Sequence, residues 1–108
     1  MATSVLDRIP VVAGTAYIER VRRLPSTLTV ALAVELDNPY FRHAIAVQVG
    51  GEKVGYVAPE LARRYFEPIK SHPTPVTCAA RRASHTDHET SGVELLLDFS
   101  SLPVQPVD

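Results

Sequence analysis

The sequence predicts a mainly β fold, a small OB-like or SH3-like antiparallel barrel of about six strands with one or two short helices. Three observations carry that expectation. Leu28, Val30, Leu32, Val34 and Leu36 alternate with Thr27, Thr29, Ala31, Ala33 and Glu35, the period-two pattern of a half-buried strand. Gly50-Gly51 separates two further short runs, as a two-residue hairpin requires. The remaining apolar runs are short, and closing such strands into a barrel removes the edges they would otherwise expose.

Residues 1 to 8 read as a frayed leader. Val11 to Arg22 reads as a first strand, with Gly14 marking a bulge or a close backbone approach. Leu24-Pro25-Ser26 is a turn, because proline fixes φ and cannot donate to a ladder. Thr27 to Leu36 is the second strand, broken by Asp37-Asn38-Pro39. Ala44 to Val49 and Lys53 to Val57 form the hairpin about Gly50-Gly51.

The period then changes. Pro59 suits a first helical turn, and Leu61, Ala62, Tyr65 and Phe66 fall at helical spacing over Glu60 to Glu67. Pro68 ends or kinks that helix. Pro73-Thr74-Pro75 is a stiff connector. Val76 to Arg82 and Val93 to Phe99 are two more strands around a polar loop, Ala83 to Gly92, and the closing PVQPVD is an extended tail. The order is β-β-β-β-α-β-β in one domain, 1–108, with a core over about 9–101 and short flexible termini.

At 108 residues, with 45% hydrophobic and 21% charged content, the chain has enough material for one core without staples. No run approaches the 18 apolar residues of a membrane span. No basic segment leads into an apolar one at the N-terminus, so no signal peptide is expected. The single cysteine, Cys78, excludes an intrachain disulfide and alternates with Val76 and Ala80, the setting of a buried thiol. Cytoplasm is the default location. A net charge of −1 and a pI near 6.4 exclude a protein that coats duplex DNA by neutralising phosphates. Any nucleic-acid contact must be local or rest on stacking.

Chemistry-bearing motifs are few. There is no P-loop, G-x-S-x-G or H-E-x-x-H pattern, so neither catalysis nor a cofactor is expected. His85, Asp87, His88 and Glu89 carry metal-ligand chemistry, but structural zinc sites want four ligands with thiolates or well-separated histidines. A polar hairpin loop is the better reading, and no metal is expected. The Asn38-Pro39-Tyr40 loop makes a defined turn in which Asn38 bonds either its own backbone or a ligand. Tyr40 either packs on the barrel end or presents its ring to solvent. On residue chemistry alone a structural turn outweighs a binding loop.

The run Asn38 to Val47 (NPYFRHAIAV), a glycine turn, Val54-Gly55-Tyr56-Val57 and a helix opening Pro59-Glu60-Leu61-Ala62-Arg63 together resemble the HIRAN domain. That module lies at the N-terminus of some SWI/SNF-type DNA translocases and occurs alone in bacteria. Gly14 and Tyr17 match an upstream Gly-x-x-Tyr segment, and the likeness runs from about Val12 to Ile69. It implies an OB-like barrel that binds single-stranded DNA and favours a free 3′ end. It further implies that Tyr17 and Tyr40 stack on bases, that Asn38 helps hold the terminal nucleotide, and that Tyr56 fills the next aromatic position. Base stacking is worth about 1–3 kcal/mol per base and tolerates any base. There are departures. Phe41 replaces an aspartate that accepts from the 3′ hydroxyl, Ala16 replaces an arginine, and Pro59 replaces a basic residue. Phe41 adds a third stacking surface or plugs the pocket, and Arg22 and Arg42 are the candidates for phosphate contacts.

Two functions follow from these features. In the first, the chain is a non-catalytic module for single-stranded DNA or DNA ends, in repair or replication-fork processing, acting alone or recruiting a helicase or nuclease. In the second, the same barrel is a protein-interaction module whose DNA-end pocket has been altered. Neither involves a membrane, and neither specifies an oligomeric state.

Overall fold

The computed structural model describes residues 9–12, 14–86 and 91–107. The expected leader, 1–8, and Asp87, His88 and Glu89 of the polar loop lie outside the described residues. Six strands, β1 (Ile9–Val12), β2 (Thr27–Glu35), β3 (Ala44–Val49), β4 (Glu52–Val57), β5 (Val76–Thr86) and β6 (Ser91–Asp98), form a closed barrel in the order β1-β4-β3-β2-β5-β6. Every pairing is antiparallel. Helix α1 (Gly14–Arg22) joins β1 to β2, and α2 (Pro59–Ser71) joins β4 to β5. The chain is therefore a small OB-like barrel. No described helix is long and apolar enough to cross a membrane.

The barrel interior follows from alternation. β2 contributes Val30 and Leu32, β3 Ile45 and Val47, and β6 Leu95 and Leu97, all buried in one cluster. Cys78 belongs to it as expected, and burial, with the Asp98 charge adding, pushes its thiol up to about 12. Helix α2 closes the core with Ala62, Tyr65, Phe66 and Ile69, and the Tyr65 ring meets Phe99 edge-on at 4.9 Å.

The first expected strand is a correction. Only Ile9–Val12 is extended, and Gly14 opens a helix rather than a bulge. Tyr17, Ile18, Val21 and Leu24 recur at three- and four-residue intervals, so a helix buries Val21 while Glu19 and Arg22 pair outside at 2.8 Å. The polar loop is also shorter than expected. β5 and β6 stay paired out to Thr86 opposite Ser91, because the ladder is made by backbone N–H and C=O groups and polar side chains do not interrupt it.

Helix α2 runs through Pro68 instead of ending there. Proline cannot donate to the carbonyl four residues back, that of Arg64. The Val107 N–H takes its place, bonding the Arg64 carbonyl at 2.8 Å, while Arg64 Nε donates to the Val107 carbonyl at 3.4 Å. The C-terminal stretch is thus extended but tied to the helix, with Leu102 buried.

One irregularity positions side chains outside the barrel. Val47 faces Gly55 but Gln48 faces Lys53, so Val54 is an extra residue on β4, a β-bulge. In a regular strand residues three apart point to opposite faces. Here the bulge sends Val54 and Val57 both inward, and Lys53 and Tyr56 both outward.

Candidate functional site

The outward face of β2, β3 and β4 is where the polar and aromatic groups gather. Asn38 shapes the loop that leaves β2. Its Oδ1 accepts the backbone N–H groups of Tyr40 and Phe41, each at 2.8 Å, an Asx turn around Pro39. Its Nδ2 donates to Glu35 Oε1 at 3.0 Å and to the Tyr56 hydroxyl at 3.3 Å. That hydroxyl donates to the same Glu35 oxygen at 2.9 Å and accepts from Lys53 Nζ at 2.8 Å. Lys53 also ion-pairs with Glu35 and lies 4.9 Å from the Tyr56 ring centroid.

Four side chains from β2, the loop and β4 are thereby locked to one another. Burial alone would raise the Glu35 carboxyl. Hydrogen bonds from Lys53, Asn38 and Tyr56, with the Lys53 charge, outweigh it and hold the carboxyl below its ordinary value. Hydrogen bonding to Glu35 and Tyr56 raises Lys53 in turn. Both groups are charged at neutral pH, so the network adds no net charge.

The small residues of β3 make room for this arrangement. Ala46 pairs with Tyr56 across the strands and is fully buried, yet it stands outside the barrel's apolar cluster. Ala44 lines the cleft beside it. Phe41 is half-buried, its ring tilted against Tyr56 with centroids 5.6 Å apart. Tyr40 is 86% exposed, so its ring is presented to solvent rather than packed on the barrel end.

Two clefts share Tyr40 and Tyr56. One, of about 250 Å³, lies between Phe41, Arg42 and His43 on one side and Pro59, Ala62 and Arg63 of α2 on the other. It carries two arginines and no carboxylate. The second, of about 450 Å³, is shallower and mixed in charge, with Glu35, Asp37, Asn38, Pro39 and Lys53 in its walls. Neither Arg42 nor Arg63 has a hydrogen-bond or ion-pair partner among the described residues. The His43 ring packs edge-on against Phe66 at 5.2 Å. No group of three or more metal-ligating side chains gathers among the described residues.

The expected site residues therefore divide. Asn38, Tyr40, Phe41, Arg42 and Tyr56 come together around the clefts. Tyr17 does not line either cleft. It sits half-buried on α1 with Arg20 5.8 Å from its ring centroid, and Arg20 in turn donates to the Lys53 carbonyl. Arg22 lies at the other end of β2, paired with Glu19, while its carbonyl accepts from Arg82. Nine residues of strand separate it from the loop, about 25–30 Å.

Sequence reasoning missed Glu35, Lys53, His43 and Arg63. Arg63 follows Glu60 by three residues and precedes Glu67 by four, which suggests a self-paired helix face. Instead Glu67 pairs with Lys70 at 4.0 Å, and Arg63 borders the cleft. The available signal was position: Arg63 is four residues after Pro59, on the same face of α2. Together the site offers stacking rings, unpaired cations and small residues beneath them. A model of the HIRAN domain family matches residues 11–100, from β1 into the final turn. No curated protein matches the chain, and no solved structure does.

Proposed function

The chain belongs to the HIRAN domain family, whose members are DNA-binding modules, and from that premise we propose that it binds single-stranded DNA or DNA 3′ ends without catalysing a reaction. The observation that carries the proposal is the 86% exposure of Tyr40. A large aromatic ring held out by an Asx turn, beside a second ring fixed by hydrogen bonds to three side chains, is a stacking platform. Arg42 and Arg63 supply the local positive charge that a near-neutral chain otherwise lacks.

In this reading Tyr40 and Tyr56 stack on bases, Phe41 extends their surface, Arg42 meets phosphate and Asn38 holds the loop. Tyr17 and Arg22, which lie outside the clefts, are further contacts for the strand in this reading. The whole acts as one domain in DNA repair or replication-fork processing in the cytoplasm, alone or by recruiting a helicase or nuclease to the strand.

Fluorescence anisotropy with labelled single-stranded and duplex oligonucleotides tests it. Single strands should bind at low salt and duplex less well. The Tyr40→Ala variant should lose about 1–3 kcal/mol, or about 5- to 150-fold in affinity, while melting as the wild type does. No binding of single strands at low salt, or unaltered binding by Tyr40→Ala, refutes the proposal.

A further inference from the structure

We propose that the cleft between the loop and α2 receives the phosphate-terminated end of a DNA strand, a phosphomonoester rather than a hydroxyl end; this rests on the single-strand reading above. Arg42, His43 and Arg63 converge on that cleft from two separate elements. Neither arginine is spent on an internal partner among the described residues. No carboxylate lines the cleft, and Glu60 on the same helical turn is not in its wall. A dianionic phosphomonoester, carrying a charge of about −1.5 to −2, gains more from such a site than an internal phosphodiester does.

Two further observations point the same way. The first turn of α2, a 13-residue helix, borders the cleft through Pro59 and Ala62, and no side chain caps it. The macrodipole of α2 adds partial positive charge there, while the Leu61 and Ala62 N–H groups are already bonded to the Ala58 carbonyl. The volume, about 250 Å³, falls just under the range of about 300–1,000 Å³ usual for small-molecule pockets. That space is on the scale of a single nucleotide. The Tyr56 hydroxyl, which could otherwise accept from a hydroxyl end, is already committed to Glu35, Lys53 and Asn38.

Anisotropy titrations with one oligonucleotide sequence ending in 3′ hydroxyl, 3′ phosphate or 5′ phosphate test the assignment. One phosphate-terminated form should bind at least about fivefold more tightly than the form with hydroxyls at both ends, and which one identifies the end that enters. Arg63→Gln should bring that ratio toward one, and inorganic phosphate should compete with the phosphate-terminated strand more strongly than sodium chloride of equal ionic strength. Equal or tighter binding of the hydroxyl-ended strand overturns the inference and leaves the single-strand reading standing. So does a ratio that survives Arg63→Gln. Failure of all three oligonucleotides to bind overturns both.

Discussion

Replacing Glu35 with glutamine should destabilise the protein by about 1–2 kcal/mol near neutral pH, and by much less in acid. The wild-type carboxylate accepts from Tyr56 at 2.9 Å and Asn38 at 3.0 Å and pairs with Lys53. Hydrogen bonds to a charged group contribute about 1.5–3 kcal/mol and neutral ones about 0.5–1.5, so neutralisation weakens two bonds. It also removes an ion pair whose side chains are only 28% and 26% exposed, sheltered enough to exceed a surface pair's median of about 0–1 kcal/mol. At about 4–8 °C per kcal/mol for a domain near this size, the melting temperature should fall by about 4–16 °C.

The pH dependence has a definite sign. The folded carboxyl lies below its ordinary value, so its contribution is complete above the unfolded value of about 4.3 and disappears as pH falls through the folded one. Thermal unfolding followed by far-ultraviolet circular dichroism, near pH 7 and near pH 3, measures both effects. The gap between wild type and Glu35→Gln should be wide at the first and largely closed at the second. A gap of the same size at both pH values, or none near neutrality, refutes the argument that the carboxylate's charge holds the network.

Three other outcomes follow from the fold. Cys78 is 3% exposed and its thiol is pushed up to about 12, so a disulfide reagent at mildly alkaline pH should modify it only after denaturant is added; rapid labelling of the native protein refutes this. Gly50 and Gly51 take φ of 59° and 84° with open space where a Cβ would stand. Gly51→Ala should therefore cost about 1–2 kcal/mol from backbone conformation alone, and Gly51→Asn less; equal losses in urea unfolding contradict it. Ala46→Leu should cost about 1–3 kcal/mol by overpacking and weaken oligonucleotide binding too, because the side chain displaces the Tyr56 ring. Wild-type stability in that variant would mean that Ala46 is not the floor under the ring.

Much of the barrel was legible because alternation is strong where one face meets water. β2 was expected over Thr27–Leu36 and runs Thr27–Glu35, and the glycine turn falls where Gly50-Gly51 placed it. α1 was hidden because Val11, Val12, Ile18 and Val21 favour strands individually, whereas burying Tyr17, Ile18 and Val21 together needs a helical period. α2 outlasted Pro68 because its replacement hydrogen bond comes from Val107, far along the chain. At the site, the two tyrosines and Asn38 could be placed from the loop and hairpin. Lys53 could not, since its reach to Tyr56 depends on the extra residue in β4. Arg63 was obscured by acidic neighbours at spacings that usually pair.

The short strand β1 has a consequence for how the molecule reaches this state. Val11 and Val12 can pair with β4 as soon as the first half of the chain exists. The other edge of β1 waits for Leu96 and Leu97, because Ile9 pairs with Leu97 and Pro10 with Leu96. Contacts so distant in sequence form slowly, since the loop entropy is lost before the pairing repays it. The β2-β3-β4 meander that presents Tyr56 can assemble early and locally, while the cylinder seals last. During synthesis on the ribosome the β2-β3-β4 sheet can precede the closed barrel, and until β6 is made the seam beside β1 is an open edge exposed to strand-to-strand misassembly.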